Sequence, residues 1–184
     1  MVAAGAQFVA VGEGEPALES AFREIGRRYE GSIGIRIGYE EGAAHRLQAG
    51  CDILLAPARF EPCGLTQIYA SRYGTVPIVR RTGGLADTVV DATGVALVDR
   101  TATGFRFEEP SLSALLGAIA RALALYKEPL AWRRLQLQGM AQDFGWHESA
   151  AKYIALYHDT TGIPAGDRPG VSLTDAELRK QAAR

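Results

Sequence analysis

Several familiar signals are missing from this chain, and each absence removes a class of protein. Only two cysteines, Cys51 and Cys63, occur in 184 residues. That rules out a disulfide framework and fits a reducing compartment, so the cytoplasm is the expected location. No apolar run approaches the roughly 20 residues of a membrane-spanning helix. The start, Met1-Val-Ala-Ala-Gly-Ala6, lacks the basic opening of a secretory signal and is too short for one. Charge of one sign is lacking too: 20 Lys and Arg stand against 21 Asp and Glu, a net charge of -1. No long-range field draws the chain to nucleic acid or to a membrane surface. The basic pairs Arg27-Arg28, Arg80-Arg81 and Arg133-Arg134 read as solvated helix faces. His45, His147 and His158 are scattered, and neither they nor the cysteines have metal-ligand spacing. There is no P-loop and no Gly-x-Ser-x-Gly elbow. Neither a metal nor a resident cofactor is expected, and no repeat or low-complexity run occurs.

What is present describes an ordinary globular chain, with 47% hydrophobic and 22% charged residues. A chain of this length buries roughly 70% of its unfolded surface on folding. Apolar runs of strand length alternate with helical periodicity. Strands are predicted at residues 7–11, 33–37, 53–56, 76–79 and 104–107, and helices at 17–29, 40–49, 64–73 and after Gly83-Gly84. Residues 91–103 read as an irregular connection. From Ser111 only helices follow: one to Tyr126 with a stripe of Leu112, Leu115, Leu116, Ile119, Ala122 and Leu123, then 129–142, then 146–157. Strand–helix alternation implies parallel strands joined by right-handed crossovers, hence an α/β, doubly wound Rossmann-like sheet. Residues 1–162 are expected to form the domain, and 163–184 a poorly ordered tail outside its core.

Within this frame the informative segments are Arg59-Phe-Glu-Pro-Cys-Gly-Leu-Thr-Gln67 and Gly83-Gly-Leu-Ala-Asp87. The first joins the predicted third strand to a helix. It therefore sets Glu61 and several backbone N–H groups at the carboxyl edge of the sheet, where α/β sheets bind ligands. A helix N-terminus at that edge favours a phosphate. Taken alone, Glu61 reads equally as a solvated turn acid or a ligand-binding acid. Tyr39, at the exit of the second strand, has the competing reading of a half-buried turn residue. Gly12-Glu-Gly-Glu-Pro16 has two acids and no third glycine, and reads as a tight turn rather than a phosphate loop.

With Gly38-Tyr39 and Thr103-Gly104, these segments resemble the bacterial glycogen synthase and starch synthase family, family 5 of the retaining glycosyltransferases. The resemblance runs from about residue 8 to 157, and residues 59–67 and 79–88 are its specific markers. It implies a GT-B C-terminal domain that binds a nucleotide sugar. It further implies transfer of glucose from ADP-glucose to an α-1,4-glucan with retention. By that likeness Glu61 is the catalytic-site acid, contacting hydroxyls of the donor glucose. The amides of Gly64, Leu65 and Thr66 face the diphosphate, and Tyr39 stacks on the adenine. Gly83 and Gly84 lie beside the glucose, and Cys63 forms part of the wall. Many related sugar transferases carry a second glutamate where Tyr69 stands, but glycogen synthases do not. Ala58 replaces a serine common in relatives.

The same resemblance implies that the N-terminal GT-B domain with the glucan acceptor site is absent from this sequence. The first strand of the C-terminal domain, with its diphosphate-clamping cations, is absent too. Two interior sheet edges would then be unpaired, so the chain is expected to dimerise, swap or rearrange. By itself it is expected to be inactive. The alternatives are a non-catalytic nucleotide-binding module and a GT-B glycosyltransferase of other sugar specificity.

Overall fold

The computed structural model describes residues 2–162. After a short 3-10 turn at Val2–Ala4 come β1 (Phe8–Gly12), α1 (Pro16–Arg28), β2 (Ile33–Ile37), α2 (Glu41–Gly50), β3 (Ile53–Ala56) and α3 (Thr66–Tyr73). Then follow β4 (Val76–Arg80), α4 (Gly83–Thr88), α5 (Gly94–Val98), β5 (Phe105–Phe107), α6 (Leu112–Tyr126), α7 (Pro129–Ala141) and α8 (Trp146–Thr161). Residues 1–142 form one compact unit, and residues from Asp143 on belong to a second, in which α8 is the described element. The tail expected at 163–184 lies outside the described residues. No described helix is long and apolar enough to cross a membrane.

Every strand pairing is parallel, as alternation with helices requires. The strands form two sheets: β1 with β2, and β3–β4–β5 in that order. Among the described residues β1 and β3 each have one edge without a strand partner, as the resemblance implies. Around the three-stranded sheet the core is dense. Val76, Ile78, Phe105 and Phe107 of the strands meet Ala118, Ile119 and Ala122 of α6 and Trp132 and Leu135 of α7. The stripe predicted for α6 is thus partly the one that packs: Ile119 is buried and Leu115 half-buried, while Leu112 stays exposed. Helix α6 starts where Ser111 Oγ accepts from Ala114 N at 3.2 Å, a side-chain N-cap.

The segment expected to be irregular holds α5. Thr93 Oγ1 caps it by accepting from Ala96 N at 3.2 Å, and Ala96 is buried beneath it. Five residues are too few to display a helical period, which is why the sequence pattern misses it. Asp91 organises the same region. Its carboxylate accepts from Arg106 N at 2.7 Å and from both Arg121 guanidinium nitrogens, at 2.6 and 3.1 Å. The Arg121 guanidinium lies over the Phe105 ring, 5.5 Å from its centroid. Burial disfavours the charge on Asp91. The Arg121 hydrogen bond, the Arg106 amide and the two positive charges outweigh it, and the Asp91 pKa falls below its ordinary 3.8.

Candidate functional site

Strand β3 ends at Ala56, and β4 ends at Arg80 beside it, so the turns that leave the two strands emerge at one edge of the same sheet. The first turn carries Glu61, Pro62, Cys63 and Gly64 into α3; the second carries Thr82 into α4 at Gly83. The two turns touch through their backbones. The Gly84 amide donates to the Glu61 carbonyl at 3.1 Å and lies 3.3 Å from that of Pro62. A Cβ on Gly83 would stand 2.0 Å from the Glu61 carbonyl oxygen, and one on Gly84 would stand 2.1 Å from that of Cys63. Only glycine permits this approach, and Gly83 also has a φ of +45°. The acidic turn and the double-glycine turn therefore form one rim.

A small apolar cluster fixes the rim from below. Leu85 of α4 is packed with Val79 of β4, Val89, Ala56 and Ala58. Burying such a leucine contributes about 2 kcal/mol, enough to hold a six-residue helix in place. Above this cluster Glu61 is half-buried, while Cys63, Leu65, Thr66 and Gly83 are exposed. Gly64 is buried, with a left-handed φ of +74° that turns the chain into α3. Helix α3 has no side-chain cap at Leu65. Its positive end is thus left to the first-turn amides, an arrangement suited to an anionic group.

Tyr39 lies past the end of the other sheet. It follows β2 and Gly38, whose φ is +125°, and the residue is 75% exposed. The structure thus brings Glu61, Cys63, Gly64, Gly83 and Gly84 together, sets Leu65 and Thr66 at the start of α3, and puts Tyr39 past the end of a strand in the β1–β2 sheet. Tyr69 points elsewhere. Its ring packs on His45 of α2 with centroids 5.4 Å apart, and Tyr73 Oη shares a hydrogen bond of 3.2 Å with His45 Nδ1. His45 is accordingly a packing residue between α2 and α3.

One sequence expectation needs correction. Arg80 does not lie on a solvated helix face; it is the half-buried last residue of β4. Its Nε donates to the Ala58 carbonyl at 2.9 Å, and its terminal nitrogens reach the carbonyls of Arg59 and Glu108. The guanidinium is therefore committed to holding the turn that carries Glu61. An arginine closing an otherwise apolar strand, one residue before a ligand-edge turn, was the signal available for this role. Among the described residues no group of three or more His, Cys, Asp or Glu side chains could hold a metal ion. A groove of ≈ 490 Å³ lies between α1 and β2, lined by Arg23, Arg27, Glu30, Ile33, Ile35 and Ile37.

Comparison with known proteins gives the family of the chain. The family described as "Glycosyl transferases group 1" matches residues 7–135. The chain is 56% identical over 160 residues to a glycogen synthase of Thioalkalivibrio sulfidiphilus, covering 86% of this chain and 33% of that protein. It is 58% identical over 151 residues to glycogen synthase 2 of Nitrosococcus oceani, covering 82% of this chain and 31% of the relative. Among solved structures it superposes on the catalytic domain of starch synthase IV from Arabidopsis thaliana, bound to ADP and acarbose. The TM-score is 0.78 and the identity 34%, over 88% of this chain and 34% of that one. The chain spans about a third of the length of the curated relatives it matches.

Proposed function

The chain belongs to the group 1 glycosyl transferases, with bacterial glycogen synthases as its relatives, and from that premise we propose that it is the donor-binding part of such a synthase. The whole enzyme would transfer glucose from ADP-glucose to the end of an α-1,4-glucan with retention. One observation carries the reading: the Gly84 amide on the Glu61 carbonyl, which makes a single rim of the two turns. Support for the nucleotide comes from the similar starch synthase, whose structure holds ADP.

In this reading Glu61 accepts hydrogen bonds from donor-sugar hydroxyls and holds the glucose against the rim. The amides of Gly64, Leu65 and Thr66 meet the departing diphosphate at the positive end of α3. The Gly83–Gly84 turn lets backbone approach the sugar closely, Cys63 lines the wall, and Tyr39 stacks on the adenine. No proton-transfer residue is called for at the donor side. The chemistry needs a positioned donor and stabilisation of the negative charge that develops on the leaving diphosphate. Metal is not part of the proposal. The glucan would bind through a domain outside this sequence, so the chain alone is expected to bind donor without elongating glucan. With the edges of β1 and β3 open, the isolated chain is expected to dimerise, swap or rearrange to close its sheet, and the cytoplasm is its expected compartment.

Calorimetry with ADP and ADP-glucose tests the assignment. Tyr39→Ala should weaken both ligands by about tenfold through loss of stacking. Glu61→Gln should weaken ADP-glucose while leaving ADP unchanged. Equal effects of Glu61→Gln on the two ligands would remove Glu61 from the sugar subsite.

A further inference from the structure

Beneath the rim lies a side chain to which the donor reading gives no task. Gln67, in the first turn of α3, is 1% exposed. Its amide nitrogen donates to Thr88 Oγ1 at 2.9 Å and to the Cys63 carbonyl at 3.4 Å. Thr88 Oγ1 in turn donates to the Gly84 carbonyl at 2.7 Å. The direction of this relay is forced. Carbonyls only accept, so the Gln67 nitrogen must face Cys63, and the Thr88 proton must go to Gly84. One carboxamide thereby ties the turn after β3 to the turn after β4, by a route separate from the Gly84–Glu61 backbone bond. Gln67 also crowds Gly64: a Cβ there would stand 2.5 Å from Gln67 Oε1.

The arrangement is costly if packing is its only purpose. Gln67 Oε1 is buried with no hydrogen-bond partner among the described residues, which typically costs about 1–3 kcal/mol. A leucine of similar size would fill the space without that loss. The polar group is retained where its amide nitrogen holds the Cys63 carbonyl directly and the Gly84 carbonyl through the Thr88 hydroxyl.

We propose that Gln67 and Thr88 are positioning residues, which hold the Cys63–Gly64 turn at a fixed spacing from the Gly83–Gly84 turn and so set the width of the sugar-nucleotide rim. Neither touches the ligand; both act through backbone they hold. The proposal deepens the donor-site reading and rests on it for its functional meaning.

Amide hydrogen exchange and ADP-glucose calorimetry on this chain test the proposal with Gln67→Leu, Thr88→Val, the double variant and Thr88→Ser. Exchange at the Gly84 amide should quicken about tenfold in each of the first two variants. The double variant should be no faster than either single one, because they break one relay. Thr88→Ser keeps the hydroxyl and should keep the wild-type rate. The Val76 amide, bonded to the Asp52 carbonyl at 3.0 Å in the core, should not change, and ADP-glucose affinity should follow the ranking of the Gly84 rates. An unchanged Gly84 rate in both single variants overturns the proposal, as does Gly84 quickening only in step with Val76, or additive effects in the double variant. Should Gln67→Leu fail to fold, Thr88→Val reads the same link. Absence of nucleotide binding by the unaltered chain would sink the donor reading and leave the exchange result to decide the relay.

Discussion

Strand β4 carries a continuous apolar run and helix α1 an apolar stripe, and the molecule treats the two in opposite ways. In β4 the run Val76-Pro-Ile-Val79 is buried throughout, with Ile78 at 0% exposure. In α1 the residues Leu18, Phe22 and Ile25 recur at helical spacing along one stripe, yet no residue of the helix is buried and Phe22 is 41% exposed. The difference in cover follows from the partners that each element has. Strand β4 has a strand on each side, and helices α6 and α7 cover it. Helix α1 packs on β2, whose only hydrogen-bonded neighbour is β1, and the edge of β1 beyond stays unpaired among the described residues. Period tells which face of an element seeks cover; only tertiary structure says whether cover is there.

The contrast can be broken most forcefully from the buried side. Ile78→Ala should destabilise the chain by about 3 kcal/mol, since the packed surroundings cannot collapse into the space left; urea unfolding measures it. A smaller loss, about 2 kcal/mol, is expected for Asp91→Asn, which leaves Arg121 and the Arg106 amide facing a neutral oxygen. Its pH dependence carries a sign. The Asp91 pKa is lowered on folding, so its contribution is complete above the unfolded value of about 3.9 and is lost as pH falls through the folded one. The gap in stability between wild type and Asp91→Asn should therefore hold at neutral pH and narrow below about pH 4. On the α1 side Phe22→Ser should cost the isolated chain less than about 0.5 kcal/mol, as for an ordinary surface site. A loss as large as that of Ile78→Ala would mean that the α1 stripe is covered in solution, and would erase the contrast.

Much of this was readable in advance, and what was not has physical reasons. The strands, the parallel pairing and the position of Glu61 at a strand end follow from apolar period and from Gly74 with its φ of +87°, which stops α3. The break between β1–β2 and β3–β4–β5 came only through family likeness, because no local pattern reports on a neighbour that is missing. Arg80 and Gln67 were overlooked for a shared reason. Each acts on a backbone carbonyl far along the chain or across a turn, an acceptor that leaves no trace in side-chain identity, so only the place of Arg80 at the end of an apolar strand hinted at its role. Helix α5 was lost to its brevity, and Asp91 to the fact that its partners Arg106 and Arg121 lie 15 and 30 residues away.

The carbonyl clearances at Gly83 and Gly84 bear on how far the rim can vary. With 2.0 and 2.1 Å between a first side-chain carbon and an oxygen, even alanine must pry the two loops apart. In a saturation library, positions 83 and 84 should each accept a single amino acid, whereas the neighbouring solvent-facing Pro62 and Cys63 can change with little effect on folding. Any drift in ligand preference would then have to be written in side chains around this pair of glycines and never in the glycines themselves.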